Sequence, residues 1–141
     1  MRLFLDSSVV LAACGRTAGA SHATFELADA LGWRLLTCDY VLREVERNLR
    51  ERLPETARSE WQQLRPVLAV VADELTHPWS VVFPAAKDRP VLFTAAAMAD
   101  VLLTLDRADF GAVMTTGFYG LAVMKPGDFL QHERTMGRLV C

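Results

Sequence analysis

Apolar and polar positions along the chain alternate between two kinds of segment. Short apolar runs of strand length occur at Leu3 to Leu5, Trp33 to Thr37, Ser80 to Phe83, Val101 to Leu105 and Leu121 to Met124. Longer segments with helical spacing lie between them. Ala23, Leu27, Ala30 and Leu31 mark one, and Leu42, Val45, Leu49 and Leu53 a second. Trp61, Leu64, Leu68 and Val71 mark a third, and Leu92, Ala95, Ala96 and Ala99 a fourth. Strands that alternate with helices and show little period-two patterning predict a sheet buried on both faces. The class is therefore α/β, a three-layer α/β/α sandwich around a central, mostly parallel sheet. The stretch 54–78 is too long for one crossover turn and predicts a helical excursion from Glu55 to about Glu74.

Composition narrows the picture. With 52% hydrophobic and 23% charged positions in 141 residues, the chain can bury a core, and positions 1–141 read as one domain. No stretch approaches the roughly 20 apolar residues of a membrane helix. Asp6 interrupts the apolar start, so a long leader is not expected and the chain is expected to be cytoplasmic. The net charge of -2 argues against gripping nucleic acid by bulk electrostatics. Cys14, Cys38 and Cys141 show neither disulfide nor zinc spacing. His22, His77 and His132 also lack ligand spacing and read as surface or loop residues. Trp33, Trp61 and Trp79 read as core or subunit-contact residues, and the surplus of apolar side chains points to a homodimer or a bound partner helix.

In a parallel sheet, ligands bind beyond the carboxyl ends of the strands. Asp6 ends the first apolar run and Asp106 the one at Val101 to Leu105. Asp88 precedes Arg89-Pro90 at the N-cap of a helix, and Glu44 lies one turn inside the helix that follows the second run. Four carboxylates on one edge would repel each other unless a cation sat among them, and hard oxygen donors select Mg²⁺ or Mn²⁺. Structural roles fit the same residues: Asp6 and Asp88 as helix caps, Asp106 as a turn opener, Glu44 on a solvated face. Glu46 is the rival of Glu44 but leans toward the apolar stripe. Asp39 reads as the cap of that helix, Asp100 and Asp109 as loop residues, with Asp109 in an outer shell of the site. Ser7, Ser8 and Thr104 stand where a hydroxyl could hold a carboxylate oxygen or a water. Arg43, Arg47 and Arg50 form a stripe that could track a phosphodiester backbone, or pair with Glu46 and Glu51 on a solvated face.

Several motifs taken together carry a resemblance. They are Leu5-Asp6-Ser7-Ser8-Val9-Val10-Leu11, then Val41-Leu42-Arg43-Glu44-Val45, and Asp88-Arg89-Pro90-Val91-Leu92 leading into an alanine-rich helix. Ala99-Asp100-Val101-Leu102-Leu103-Thr104-Leu105-Asp106-Arg107-Ala108-Asp109-Phe110 and Ala122-Val123-Met124-Lys125-Pro126-Gly127-Asp128-Phe129-Leu130 follow. In this order they resemble the PIN domain, the nuclease fold that includes the VapC-type toxins of bacterial toxin-antitoxin pairs. The resemblance implies an acidic quartet at Asp6, Glu44, Asp88 and Asp106, a Mg²⁺ or Mn²⁺ cofactor, RNA as substrate and an antitoxin protein as partner. Asp6 would be the central ligand, Asp88 and Asp106 would complete the cage, and Glu44 would bind a second ion or orient the attacking water. The chain departs from the family pattern at Ser8, where many members have Asn, and at Asp39, where many have Ser or Thr. Two other classes remain open from the residues: a catalytically inactive PIN-like module that binds RNA or protein, and a phosphotransferase using Asp6 as nucleophile. The second usually wants an Asp where Ser8 stands.

Overall fold

The computed structural model describes residues 1–74 and 86–139. In chain order the elements are β1 (Arg2–Leu5), α1 (Ser7–Gly15), α2 (Ala20–Leu31), β2 (Arg34–Cys38), α3 (Asp39–Glu51), α4 (Glu55–Leu64), β3 (Ala69–Val71), α5 (Arg89–Met98), β4 (Val101–Leu103), α6 (Arg107–Thr116), β5 (Ala122–Met124) and α7 (Pro126–Thr135). The five strands form one sheet in the order β3-β2-β1-β4-β5, and every pairing is parallel. The α/β/α sandwich expected from the alternation is thus observed.

The apolar runs lack alternation because their strands are covered on both faces. Leu3, Phe4 and Leu5 of β1 are buried, as are Val101, Leu102 and Leu103 of β4. α5 packs on β1 and β4, while α1 packs against α2, α3 and α4. Trp33, just ahead of β2, meets Phe129 of α7 edge to face with centroids 5.1 Å apart. Gly32 ends α2 at a φ of 68°, a left-handed position that suits glycine. Cys14 and Cys38 are buried free thiols, each pushed up to about 12 chiefly by burial.

The topology fixes where a site can form. From β1 the chain moves outward on one side to β2 and β3, then returns to the other side of β1 as β4 and β5. The crevice between the carboxyl ends of β1 and β4 is therefore the switch point of the sheet. The register pairs Leu5 with Leu103, so Asp6 and Thr104 emerge side by side.

The excursion is shorter and less helical than its spacing predicts. α4 ends at Leu64, a 3-10 turn covers Arg65–Val67, and Ala69–Val71 is extended on the sheet edge. Pro66 accounts for the break: it has no N–H for the carbonyl of Gln62, one turn back. Leu68 still buries its side chain, but as the lead into a strand. The strand expected at Ser80 to Phe83, with His77, Trp79 and Cys141, lies outside the described residues. His22 departs from its expected surface role: it is buried in α2, with Glu26 and Glu60 each 2.8 Å from a ring nitrogen.

Candidate active site

Asp6 is the floor of the site. As N-cap of α1 it accepts from the Ser7 amide at 2.8 Å, so its capping role is real. Its other oxygen accepts from the hydroxyls of Ser8 at 2.9 Å and Thr104 at 2.8 Å. Each hydroxyl has a single hydrogen, spent on Asp6, and each accepts in turn from the loop after β4: Ser8 Oγ from the Leu105 amide at 3.0 Å, Thr104 Oγ1 from the Asp106 amide at 3.1 Å. The carboxylate is thereby tied to the loop that carries Asp106. Burial nevertheless dominates and holds the Asp6 carboxyl above its ordinary range, against the three hydrogen bonds and with the charge of Glu44 adding to the rise.

A second group of acids stands beside this floor. Asp106 is the N-cap of α6 and accepts from the Asp109 amide at 3.0 Å. Cap and third helical residue then face the same point, which brings Asp109 inward from the outer loop position expected for it. Asp88 occupies the N-cap position of α5 but makes no side-chain cap bond there. Its side chain turns instead to the other acids. Oxygens of Asp88, Asp106 and Asp109 all lie within 4.8 Å of one another.

Asp88 is 8% exposed, and its Oδ2 is buried without a hydrogen-bond partner among the described residues. Burial first, then its contact with Asp109 and the charge of Asp6, pushes its carboxyl up to about 7. Asp109 is lowered, mainly because it accepts the hydrogen bond from Asp88. Crowded carboxylates and an orphaned buried oxygen are what a cation would relieve. Clustered hard oxygen donors fit Mg²⁺ or Mn²⁺.

The quartet expected from the sequence does meet in one place. Asp6, Glu44, Asp88 and Asp106 line a single cleft of about 470 Å³, together with Ser7, Ser8, Leu11, Tyr40, Arg47, Asn48 and Lys87. Glu44 is half-buried and faces the cleft, whereas Glu46 lies on a different groove with Trp61 and Gln62. Asp39 is the first residue of α3 and not its cap; Asp73, just past β3, accepts from the Tyr40 amide at 3.2 Å and serves that end of the helix instead. Asp100 pairs with Arg2.

The arginine stripe divides. Arg43 and Arg47 share a recess of about 240 Å³ with Tyr40 and Glu44, continuous with the cleft, while Arg50 lines the groove that holds Glu46 and Trp61. Among the described residues none of the three forms an ion pair with Glu46 or Glu51.

Tyr40 and Lys87 are among the cleft residues not singled out in the sequence. Tyr40 donates its hydroxyl to the Lys87 carbonyl, linking α3 to the 3-10 turn Ala86–Asp88. Lys87 Nζ stands 3.5 Å from Asp109 Oδ2. Adjacency to Asp88 was the available signal for Lys87; Tyr40 had none, because its role comes from a contact across 47 positions.

Comparison with solved structures agrees with the fold. No family model matches the chain, and no curated protein matches it by sequence. Among solved structures it is similar to a chain of the VapBC2 complex from Rickettsia felis bound to a DNA fragment from its promoter. That match has TM-score 0.62 and 14% identity, and covers 87% of this chain and 97% of the other. It is also similar to VapC20 of Mycobacterium tuberculosis, a toxin that cleaves the sarcin-ricin loop, with TM-score 0.49 and 19% identity over 84% of this chain and 97% of the other. The fold is thus the PIN-like sandwich of VapC-type structures, as the motifs implied. Among the described residues no helix is long and apolar enough to cross a membrane.

Proposed function

We propose that this chain is a divalent-metal-dependent endoribonuclease that hydrolyses RNA phosphodiester bonds, and that it acts as the toxin of a toxin-antitoxin pair. The observation that carries the reading is the buried, partnerless Asp88 oxygen set among Asp106 and Asp109 beside Asp6, at the switch point of the sheet. The VapBC2 likeness supports an antitoxin protein as the partner.

Asp88, Asp106 and Asp109 would hold the ion, with Asp6 as a further ligand from the floor. When bound, Mg²⁺ or Mn²⁺ supplies charge neutralisation and Lewis-acid polarisation of the phosphodiester. The protein does the positioning. Ser7, Ser8 and Thr104 fix the Asp6 carboxylate by three hydrogen bonds, so it does not reorganise as charge develops. Glu44 faces the cleft from α3 and accepts the proton of the attacking water on a carboxylate oxygen. The water oxygen forms the new P–O bond as the bond to the leaving ribose oxygen breaks, and that oxygen takes its proton from solvent in the open cleft. Arg47 and Arg43 border the cleft on the same helix and bind the RNA backbone. A module that only bound RNA would have no use for carboxylates that raise each other's pKa values.

Asp6→Asn is the test. Asn keeps an oxygen that can cap α1, and circular dichroism with a melting curve checks that the variant is folded, while cleavage of single-stranded RNA in Mg²⁺ or Mn²⁺ falls by at least about a hundredfold. Undiminished metal-dependent cleavage by this variant refutes the assignment.

A further inference from the structure

Only two of the chain's 15 basic residues are lysines, Lys87 and Lys125, and one of them stands at the carboxylate cleft. The ammonium of Lys87 is 3.5 Å from Asp109 Oδ2, and its side chain is 74% exposed. Its backbone is anchored separately: the Lys87 carbonyl accepts from the Tyr40 hydroxyl, and the next residue, Asp88, is buried. A fixed stem therefore carries a head that is free to move.

The type of cation matters. An arginine would clamp a carboxylate through a two-pronged planar contact, whereas an ammonium is a compact, hydrated point charge that exchanges readily. One long ion pair does not satisfy the cluster either, since Asp88 Oδ2 stays without a partner. A divalent ion contacting several of these oxygens would outcompete one ammonium for Asp109.

We propose that Lys87 is an exchangeable counter-ion of the cleft: its ammonium balances Asp109 until a divalent cation binds, and is then released to contact the RNA phosphate. This role rests on the metal-dependent reading above. It makes Lys87 a substrate-binding residue whose availability depends on metal occupancy.

Calorimetric titration of Mn²⁺ into the ion-free protein tests it, comparing wild type with Lys87→Met and with Lys125→Met. The last makes the same change in net charge outside the cleft lining. Lys87→Met binds Mn²⁺ about tenfold more tightly than wild type, the size of a partly screened charge contact, and Lys125→Met stays within about twofold. At saturating Mn²⁺, Lys87→Met raises KM for single-stranded RNA several-fold more than it lowers kcat. Equal Mn²⁺ affinity in the two methionine variants overturns the proposal, and so does an unchanged KM. A flat titration in the wild type instead sinks the metal-dependent reading, and the counter-ion role falls with it.

Discussion

Thr104 donates its hydroxyl hydrogen to Asp6 Oδ2 at 2.8 Å, across a boundary that only the parallel pairing of β1 with β4 brings together. The same oxygen of Thr104 receives the Asp106 amide, so one buried hydroxyl couples two of the site's carboxylate positions. Thr104→Val keeps the shape and removes both functions. It lowers stability by about 1–3 kcal/mol, since a buried acceptor and a backbone donor lose their partner. Thr104→Ser retains most of it. Denaturant unfolding of the three proteins checks this, and a Val variant as stable as wild type would show that the network contributes nothing.

Mutual repulsion in the cleft gives Asp88 an opposite sign. In the ion-free protein Asp88→Asn removes a buried charge beside Asp6 and Asp109 and supplies a donor to Asp109, so its melting temperature in chelator is equal to or above that of wild type. Added Mn²⁺ raises the melting temperature of wild type and leaves that of the variant nearly unchanged, because binding to the native state is what stabilises. A thermal scan with and without Mn²⁺ reads both, and equal stabilisation of the two proteins would remove Asp88 from the ligand set.

Acid sensitivity originates elsewhere as well. Glu133 is 1% exposed and is gripped by Arg138 through contacts of 2.7 and 2.9 Å. The guanidinium holds the Glu133 carboxyl below its ordinary value of 4.5. A lowered folded-state pKa means stability that is present above the unfolded value and lost as pH falls through the folded one. The gap in stability between wild type and Arg138→Met is therefore widest near neutrality and narrows as pH drops below about 4.5. Unfolding curves collected along that acid limb decide it; a gap that stays constant with pH would contradict the ion pair's role.

The split arginine stripe makes a contrast. Arg47→Glu weakens RNA binding and lowers the slope of log affinity against log salt by about 1, whereas Arg50→Glu, on the Trp61 groove, changes neither. Filter binding across a salt series measures the pair. Equal losses in both variants would mean that the RNA follows the whole helix face and not the recess beside the cleft.

Much of this architecture is legible in the sequence because the buried strands are short, apolar and end in acids. Leu-Phe-Leu-Asp and Leu-Leu-Thr-Leu-Asp show both the strand and the cleft residue, whereas Glu46, expected to lean toward the apolar stripe, is exposed and Glu44 is the half-buried one. Where the sequence misleads, local spacing competes with long-range contacts. Trp61, Leu64, Leu68 and Val71 keep a helical rhythm through Pro66 although the chain has become extended by Ala69. The cap of α3 comes from Asp73, 33 positions beyond Tyr40, so the nearby Asp39 is the natural but wrong choice. Asp109, which the sequence sets in an outer shell of the site, has an oxygen within 4.8 Å of those of Asp88 and Asp106.

β1 has hydrogen-bonded neighbours on both sides, while β3 sits at the rim of the sheet. Local opening starts at rims and works inward. Partial unfolding will therefore strip the Asp73 support from α3, and with it the hold on Glu44 and Arg47, while Asp6 is still in place. The floor of the cleft should outlast its walls, so damage short of collapse leaves a chain that keeps its anchoring aspartate but has lost the wall that carries Glu44 and Arg47.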